Sequence, residues 1–313
     1  MKKRLLGNTG LEVSVLGFGG AILGDVYGGI TEKEAATTLH AALDAGITLV
    51  DVAPYYGLGL AEKRLGRALQ GRRDEVVLAS KCCRYGLEGF DFSAARVFSD
   101  IDESLRRLKT DHLDLFQLHD VEFGQRDQIL QETLPAMVKV KKSGKARFIG
   151  ITGLPVHMLK ELACEFPIDT ILSYCHYNLM VDDLDVVLAP LVKTRGVGLL
   201  NASPLHMGIL APDGPQPWHP ASTATKRAGE KVAALCRAHG FSVAGVALHF
   251  ALDNNNVAST LCGMKSPKEV AENISFIKKT PDPQLLKEIS RVVAPVKNHT
   301  WHEGLPENAP PPS

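Results

Sequence analysis

The chain has 313 residues, 45% of them hydrophobic, so it is long enough to bury the core of one large barrel or of two smaller domains. Its 35 basic and 35 acidic side chains balance, which argues against a nucleic-acid partner or an anionic membrane surface. Residues 1–10 are basic but lack the apolar segment of a secretory signal, and no later stretch is apolar enough to span a bilayer. We therefore expect a cytoplasmic protein that acts as a monomer or homodimer.

The first residues predict a β-hairpin, in which residues 5–6 turn through residues 7–10 into residues 11–13. Eight short β-rich runs follow and alternate with amphipathic segments, the pattern of repeated βα units around a parallel sheet. The predicted strands are residues 15–20, 48–52, 76–81, 113–119, 148–152, 170–174, 197–202 and 259–263. The predicted helices include residues 32–44, 62–70, 94–108, 127–142 and 183–193.

This regularity favours one α/β domain, a (β/α)8 TIM barrel over residues 1–304, with the hairpin at its floor. The chemistry of such barrels sits at the carboxyl ends of the strands, where long loops shape the pocket. We expect loops of this kind at the C-terminal face, above all residues 204–222. Residues 305–313 are rich in proline and short of core residues, so we predict a disordered tail there.

An acid, a phenol, an amine and an imidazole fall at or just after the ends of successive predicted strands: Asp51, Tyr56, Lys81 and His119. A tyrosine hydroxyl has an unperturbed pKa near ~10, and a lysine beside it would lower that value. Asp51 would keep Lys81 charged, and His119 would hydrogen-bond the same substrate oxygen as Tyr56. Each residue alone is more often a hydrogen-bonded loop residue. Together they predict an enzyme that oxidises or reduces a carbon bearing oxygen.

Several separate segments carry a resemblance to a known family. They are residues 6–14 (LGNTGLEVS), 16–19 (LGFG), 51–57 (DVAPYYG), 62–66 (EKRLG) and 114–119 (DLFQLH). From residue 4 to about residue 273 the sequence resembles the aldo-keto reductases. In that family the tyrosine donates and accepts the proton, the lysine and aspartate tune it, and the histidine orients the substrate. The resemblance implies these roles for the four residues above, with Tyr56 and His119 also contacting the substrate.

The family implies a nicotinamide dinucleotide bound in an extended form, without the Rossmann glycine fingerprint. The residues at the implied cofactor positions are Gly19, Gly20, Thr152, Tyr174, Ser203, Leu205, Met207, Gly263, Met264, Glu269, Glu272 and Asn273. Two departures from the family pattern stand out. Tyr174 takes the place of the usual glutamine under the nicotinamide, and Thr152 with Gly153 takes the place of the serine and asparagine that hold the carboxamide. At Gly19 and Gly20 a simple turn is as consistent as a close approach of ligand to backbone.

Charge distinguishes NAD from NADP, because a 2′-phosphate favours arginine or lysine, whereas a free ribose hydroxyl suits a carboxylate. By comparison with the family, Gly263 stands at the usual lysine position and Glu269 at the usual arginine position. Lys265 and Lys268 lie nearby, either as partial replacements or as solvated residues at the start of a helix. The resemblance therefore implies NAD as the cofactor.

Within the family the likeness is strongest to members that oxidise sugars at the anomeric carbon. It is carried by residues 89–94 (GFDFSA), 119–124 (HDVEFG), 147–155 (RFIGITGLP), 172–177 (LSYCHY), 218–222 (WHPAS) and 295–301 (PVKNHTW). The implied reaction converts L-galactose to its lactone, with L-fucose, D-arabinose or a pyridoxal-type aldehyde as alternatives. Trp218 and His219, and more weakly Trp301, are candidate sugar contacts, because an indole stacks on a pyranose and an imidazole hydrogen-bonds hydroxyls. Simple loop packing is the alternative for each.

Two other classes of protein are consistent with the same residues. A nicotinamide-binding sensor or channel subunit can keep all four polar residues without turnover. A metal-dependent sugar isomerase or hydrolase would need several carboxylates and histidines around one ion, whereas Lys81 would repel a cation, so we predict no metal. The six cysteines are scattered without a C-x-x-C pair, which favours reduced thiols.

Overall fold

The chain begins with a two-stranded antiparallel hairpin, β1 (Lys3–Leu5) and β2 (Glu12–Ser14), as predicted. These bounds come from a computed structural model that describes residues 1–26 and 28–309. The connecting turn includes a short 3-10 helix, Gly7–Thr9, that rests against the start of a later strand. A Cβ at Gly7 would lie 2.3 Å from the backbone nitrogen of Gly198, so this close approach requires glycine.

Eight parallel strands follow and close into a barrel, which confirms the predicted fold. Each strand pairs with the next along the chain, and the last pairs back onto the first through Cys262 and Phe18. The strands are β3 (Leu16–Gly19), β4 (Leu49–Asp51), β5 (Val77–Cys82), β6 (Leu113–Leu118), β7 (Ala146–Gly153), β8 (Thr170–Tyr174), β9 (Gly198–Ala202) and β10 (Ser259–Cys262).

The lower part of the barrel interior is apolar. Leu6 and Val13 of the hairpin pack in one cluster with strand residues that include Leu49, Leu115 and Leu200. The hairpin therefore closes the barrel floor, as the sequence predicted. Because side chains alternate along a strand, residues two or four positions later point into the same interior nearer the carboxyl ends. That upper layer contains the polar side chains of the candidate site.

Helices surround the barrel. Their bounds are Glu32–Asp44, Leu60–Ala68, Ala94–Leu108, Arg126–Gln128, Leu134–Lys142, Val156–Glu165, Asp183–Val187, Ala189–Arg195, Thr223–Ala238, Val243–Asp253, Pro267–Ile277 and Pro283–Val293. The single helix predicted over residues 127–142 contains a π-helical turn at Ile129–Thr133. The helix predicted over residues 183–193 is divided near Pro190, whose missing N–H cannot continue the helical hydrogen bonds.

Residues 305–309 are ordered, whereas the sequence predicted disorder from residue 305 onward. Leu305 donates its N–H to the carbonyl of Glu122 at 2.9 Å, and a short 3-10 helix, Pro306–Asn308, follows. The amide of Asn308 donates to the carbonyls of Glu122 at 2.8 Å and Gly124 at 2.9 Å. The segment has few apolar side chains and is held by these hydrogen bonds instead. Composition alone does not reveal hydrogen bonds of this kind. Residues 310–313 lie outside the described residues.

The described residues contain no single helix that is long and apolar enough to cross a membrane. The helices Thr223–Ala238 and Val243–Asp253 together meet the requirements of length and hydropathy, but the chain bends by 100° between them.

Candidate active site

Three of the four predicted polar residues meet around one buried ammonium group. Lys81 projects into the barrel near the end of β5 and is 1% exposed. Its ammonium donates to the Asp51 carboxylate, to the Val52 carbonyl at 3.0 Å and to the Tyr56 hydroxyl at 3.4 Å. A lysine placed between a carboxylate and a phenol can stabilise the phenolate when the phenol loses its proton.

The Asp51 carboxylate is held by a second neighbour that the sequence analysis did not identify. Gln117, two residues before His119 on β6, donates its amide N–H to Asp51 at 2.8 Å. Burial acts to lower the pKa of Lys81, but the charge and hydrogen bond of Asp51, together with Tyr56, raise that pKa above its ordinary value. Lys81 is therefore a permanent cation at neutral pH.

His119 follows the end of β6 and faces Tyr56 edge-on, with 5.8 Å between the ring centroids. It is 4% exposed, and no described residue bonds its Nδ1. Burial lowers the pKa of His119 well below its ordinary value, and the positive charges of Lys81 and Arg84 lower it further. The imidazole is therefore neutral, with one nitrogen able to donate and the other able to accept a hydrogen bond.

The pKa of Tyr56 differs from the sequence-based expectation. Burial raises the pKa of Tyr56 to about 12, an effect that the charge of Lys81 only partly offsets. The negative charges of Asp51 and Asp120 raise it as well. The expected depression of the phenol pKa is therefore wrong for the protein alone, because desolvation of the phenolate outweighs a single lysine.

A buried ion pair beside His119 was not predicted. Arg84, which follows β5, donates to the carboxylate of Asp120. The guanidinium carbon lies 4.1 Å from the ring centroid of Tyr55 and 5.2 Å from those of Phe90 and Phe123. The backbone of Asp120 is left-handed, with φ of 53°. The one sequence feature that could have indicated this ion pair is the position of Asp120, directly after a histidine at a strand end.

The predicted cofactor residues Thr152 and Tyr174 lie at the ends of neighbouring strands, β7 and β8. The Thr152 hydroxyl accepts the Asp120 N–H at 3.1 Å, so it is already engaged as an acceptor. The Tyr174 hydroxyl donates at 3.1 Å to Glu122, whose same oxygen accepts the Leu154 N–H at 3.0 Å. Burial, and then the charge of Asp120, raise the pKa of Glu122 well above its ordinary value. These contacts fix the tyrosine ring across the mouth of the barrel.

The loop after β9 contains three of the implied cofactor residues, Ser203, Leu205 and Met207. Three residues of this loop other than glycine have a left-handed backbone: Ser203 with φ of 57°, and the adjacent His206 and Met207, each with φ of 51°. Alternation of right- and left-handed residues turns backbone N–H groups toward one side and forms anion-binding concavities. The local backbone therefore fits the pyrophosphate role that the resemblance implies.

Glycine at the end of β3 is explained by the packing of neighbouring strands. A Cβ at Gly19 would lie 3.3 Å from the nitrogen of Gly263, and one at Gly20 would lie 2.7 Å from the carbonyl oxygen of Asp51. The contact at Gly20 excludes a side chain without a ligand, whereas the contact at Gly19 is tight and would need only a small shift of the neighbouring backbone.

The implied adenosine-binding residues follow β10 and extend into the helix Pro267–Ile277: Gly263, Met264, Glu269, Glu272 and Asn273. Met264 is fully buried, whereas Gly263 is exposed. The amide of Asn273 contacts the Cys262 sulfur at 3.7 Å. This segment offers an open rim beside the barrel mouth.

The long loop after β9 and the C-terminal segment meet in a cluster of rings. Both ring nitrogens of His219 bond main-chain groups, Nε2 to the His206 carbonyl and Nδ1 to the Ala221 N–H, each at 3.1 Å. His219 is 3% exposed, so this geometry contradicts the expected hydrogen bond from its imidazole to a sugar. Trp218 stacks on His219 and is 58% exposed. Trp301 meets the His219 ring edge-on at 5.2 Å.

All six cysteines are free thiols, as predicted, and only Cys164 is exposed. Among the described residues one group of side chains is close enough to share an ion: Cys82, Cys83 and Asp100. This group is fully buried, and Arg96 pairs with the Asp100 carboxylate at 2.6 Å. A guanidinium in that position opposes the binding of a cation.

A parallel barrel with a buried acid, phenol, amine and imidazole at its strand ends defines a barrel oxidoreductase. The family model of the Aldo/keto reductase family matches residues 15–294. The chain belongs to the aldo-keto reductase family. It is therefore an oxidoreductase, and members of this family use nicotinamide cofactors.

Individual relatives extend this likeness over nearly the whole chain. The chain is 45% identical to an L-galactose dehydrogenase of Arabidopsis thaliana, covering 97% of this chain and 98% of the relative. It is 31% identical to a D-threo-aldose 1-dehydrogenase of a Pseudomonas species, covering 86% of this chain and 90% of that protein. A solved aldo-keto reductase from Bacillus halodurans, in a holo form, has a TM-score of 0.78 and 30% identity, covering 97% of this chain and 99% of that structure.

Proposed function

We propose that this protein oxidises L-galactose at C1 to its lactone, with NAD as the hydride acceptor. The observation that carries the proposal is the buried contact of Lys81 with both Asp51 and Tyr56, with His119 facing the same phenol. The 45% identity to an L-galactose dehydrogenase supports this sugar in particular. Because a nicotinamide-binding sensor can keep the same four residues, measured turnover is what separates an enzyme from a sensor.

In the proposed mechanism Tyr56 accepts the proton of the anomeric hydroxyl. The charge of Lys81 favours the phenolate, and Asp51 keeps that charge in place. The neutral His119 donates a hydrogen bond that orients the reacting oxygen. When bound, the oxidised nicotinamide supplies the acceptor for the hydride. Thr152, Tyr174 and the loop after β9 would hold the cofactor along the strand ends. The Thr152 hydroxyl accepts from Asp120 but can still donate, the Tyr174 ring is oriented by its bond to Glu122, and the loop offers left-handed backbone.

The pKa of Tyr56 predicts the pH dependence of oxidation. Since burial raises that pKa to about 12, the phenol is protonated at neutral pH and gains the ability to accept a proton only as pH rises. We expect kcat/KM for sugar oxidation to rise about tenfold per pH unit from pH ~7 to ~10, without a plateau. Reduction of an aldehyde uses the protonated phenol and should vary little over this range. A plateau of the oxidation rate near neutrality would contradict this assignment.

NAD rather than NADP is favoured by the charge at the adenosine rim. The Glu269 carboxylate accepts the Lys265 N–H at 2.8 Å, and this bond holds a negative charge at the start of the helix Pro267–Ile277. A 2′-phosphate placed there would meet like charge. Lys268 is paired with Glu272 at 3.8 Å on the exposed face of the same helix.

Exchanging the two rim residues should change cofactor preference. A Cβ at Gly263 would meet nothing closer than the Gly19 carbonyl oxygen at 3.8 Å, so a lysine fits there without moving the backbone. We expect Gly263→Lys with Glu269→Arg to raise the ratio of kcat/KM for NADP over NAD by about 10- to 100-fold, because each new cation can bond the phosphate. The matched variant with Gly263→Ala and Glu269→Gln should give a smaller rise. An unchanged ratio in the charged variant would show that the phosphate lies elsewhere.

The proposed function is tested by following reduced-nicotinamide absorbance with purified protein. L-galactose, L-fucose and D-arabinose are each mixed with NAD and with NADP. We expect L-galactose with NAD to give the highest kcat/KM. Preference for L-fucose or D-arabinose would keep the mechanism but replace the substrate, in line with the likeness to the D-threo-aldose dehydrogenase. No turnover with any sugar would contradict the proposed function.

A further inference from the structure

The ion pair of Arg84 and Asp120 has no part in the mechanism above, yet it lies directly beside the reacting groups. Asp120 follows His119, and its Oδ2 lies 3.6 Å from the Nε2 of that histidine. The charge of Asp120 also acts on Tyr56, whose pKa it raises. The Asp120 carboxylate therefore lies against the imidazole that the proposed mechanism assigns to the substrate oxygen.

The stability of the fold does not by itself explain this ion pair. Its side chains are 12% and 5% exposed, so both charges are largely removed from water, and such pairs are often no more stabilising than apolar residues of similar size. The backbone of Asp120 is left-handed, with φ of 53°, and this turn directs its side chain toward Arg84 and His119.

One oxygen of the carboxylate remains open. Arg84 and His119 both approach Oδ2, and no described residue donates to Oδ1 of Asp120. Burial raises the pKa of Asp120, and the charge and hydrogen bond of Arg84 act to lower it. The guanidinium therefore favours the charged, acceptor-only form of the carboxylate. This open oxygen is therefore free to accept a hydrogen bond from a hydroxyl group of the ligand.

The C-terminal segment contributes an acidic residue whose charge acts on Asp120. The indole N–H of Trp301 donates to Glu303 at 3.0 Å, and the charge of Glu303 raises the pKa of Asp120. A charged carboxylate with an open oxygen suits a ligand with a hydroxyl group beside the reacting carbon. It does not suit a plain aldehyde, which offers no donor.

We propose that Asp120 is a specificity-determining residue, which accepts hydrogen bonds from the sugar hydroxyl next to the reacting carbon while Arg84 holds its carboxylate in place. This inference rests on the proposed function and deepens it, because it assigns a residue that separates sugars from other aldehydes. A site built to bond a hydroxyl rejects an analogue that lacks it, because the buried acceptor is then left unpaired.

The first test needs no variant. The wild-type enzyme is assayed with its best sugar from the panel and with the 2-deoxy form of the same sugar, and separately in the reduction of a small aliphatic aldehyde. We expect kcat/KM to fall by about 10²-fold or more for the deoxy sugar. Equal rates for the two sugars would overturn the inference and leave the proposed function intact. Aldehyde reduction without turnover of any sugar would overturn the proposed function and the inference with it.

The second test uses Asp120→Asn, with Asp127→Asn on an exposed helix position as the matched control. Asparagine keeps a neutral acceptor oxygen but loses the charge, so we expect Asp120→Asn to reduce the discrimination against the deoxy sugar by about tenfold or more. We expect kcat/KM for sugar oxidation to fall at least about tenfold more than kcat/KM for aldehyde reduction. The control should behave as wild type. An equal fall of kcat/KM for sugar oxidation and for aldehyde reduction would show that Asp120 acts on the catalytic groups in general, and would overturn the inference. If Asp120→Asn does not fold, the double variant Arg84→Gln with Asp120→Asn removes both charges of the pair. It is assessed by the same two ratios of kcat/KM, sugar over deoxy sugar and sugar over aldehyde.

Discussion

Replacing Tyr56 by phenylalanine should reduce sugar oxidation by about 10³-fold or more, because no other described group at the mouth contacts Lys81 and can exchange a proton with the substrate oxygen. The ring remains, so its edge contact with His119 and the packing of the site should persist. The dissociation constant for reduced nicotinamide dinucleotide, measured by protein fluorescence, should therefore change little. Loss of turnover with retained binding separates a chemical role from a structural one.

Tyr177→Phe is the matched control for this experiment. Tyr177 lies after β8 and stacks on Phe250 with 5.2 Å between the ring centroids, in the layer of helices outside the barrel. Removing this hydroxyl should leave kcat within about twofold of the wild-type value. If Tyr56→Phe kept more than a few per cent of the wild-type rate, Tyr56 would not be the proton acceptor.

Replacing Lys81 by methionine should affect both activity and stability. The substitution removes the cation beside Tyr56, and we expect turnover to fall by about 10²-fold or more. It also leaves Asp51 as an unpaired charge that is 3% exposed, which should lower the free energy of unfolding by about 3–5 kcal/mol. Denaturant unfolding and the sugar assay measure the two effects separately.

A second variant tests whether the stability loss comes from the uncompensated charge. Asp51→Asn combined with Lys81→Met removes both charges, while Gln117 can still bond the residue at position 51. We expect this double variant to recover most of the lost stability and to remain inactive. A double variant as unstable as Lys81→Met alone would show that lost packing, rather than an unpaired carboxylate, destabilises the barrel.

The parts of the molecule that follow from chain periodicity could be predicted from sequence. Strand runs separated by amphipathic helices fix the barrel, and the alternation of side chains places Lys81 in the interior above the apolar floor. Asp51 and His119 then follow from the fact that parallel strands end on one face. These inferences depend on local pattern, which a single sequence displays.

Features set by backbone shape and mutual burial could not be predicted. The left-handed turn at Asp120 brings that residue to Arg84, 36 positions away in the chain, and no spacing rule indicates such a contact. The carbonyl of Glu122 holds the segment after residue 304, which has too few apolar side chains to suggest order. The pKa of Tyr56 depends on the depth of burial, which outweighs the charge of Lys81.

In the proposed reaction a hydride passes from the anomeric carbon of L-galactose to the nicotinamide. The most direct measurement uses L-galactose with deuterium at C1 and unlabelled NAD, followed by mass spectrometry of both products. We expect one deuterium in each reduced nicotinamide and none in the lactone. Reduced cofactor without deuterium, or a sugar product oxidised at another carbon, would contradict it.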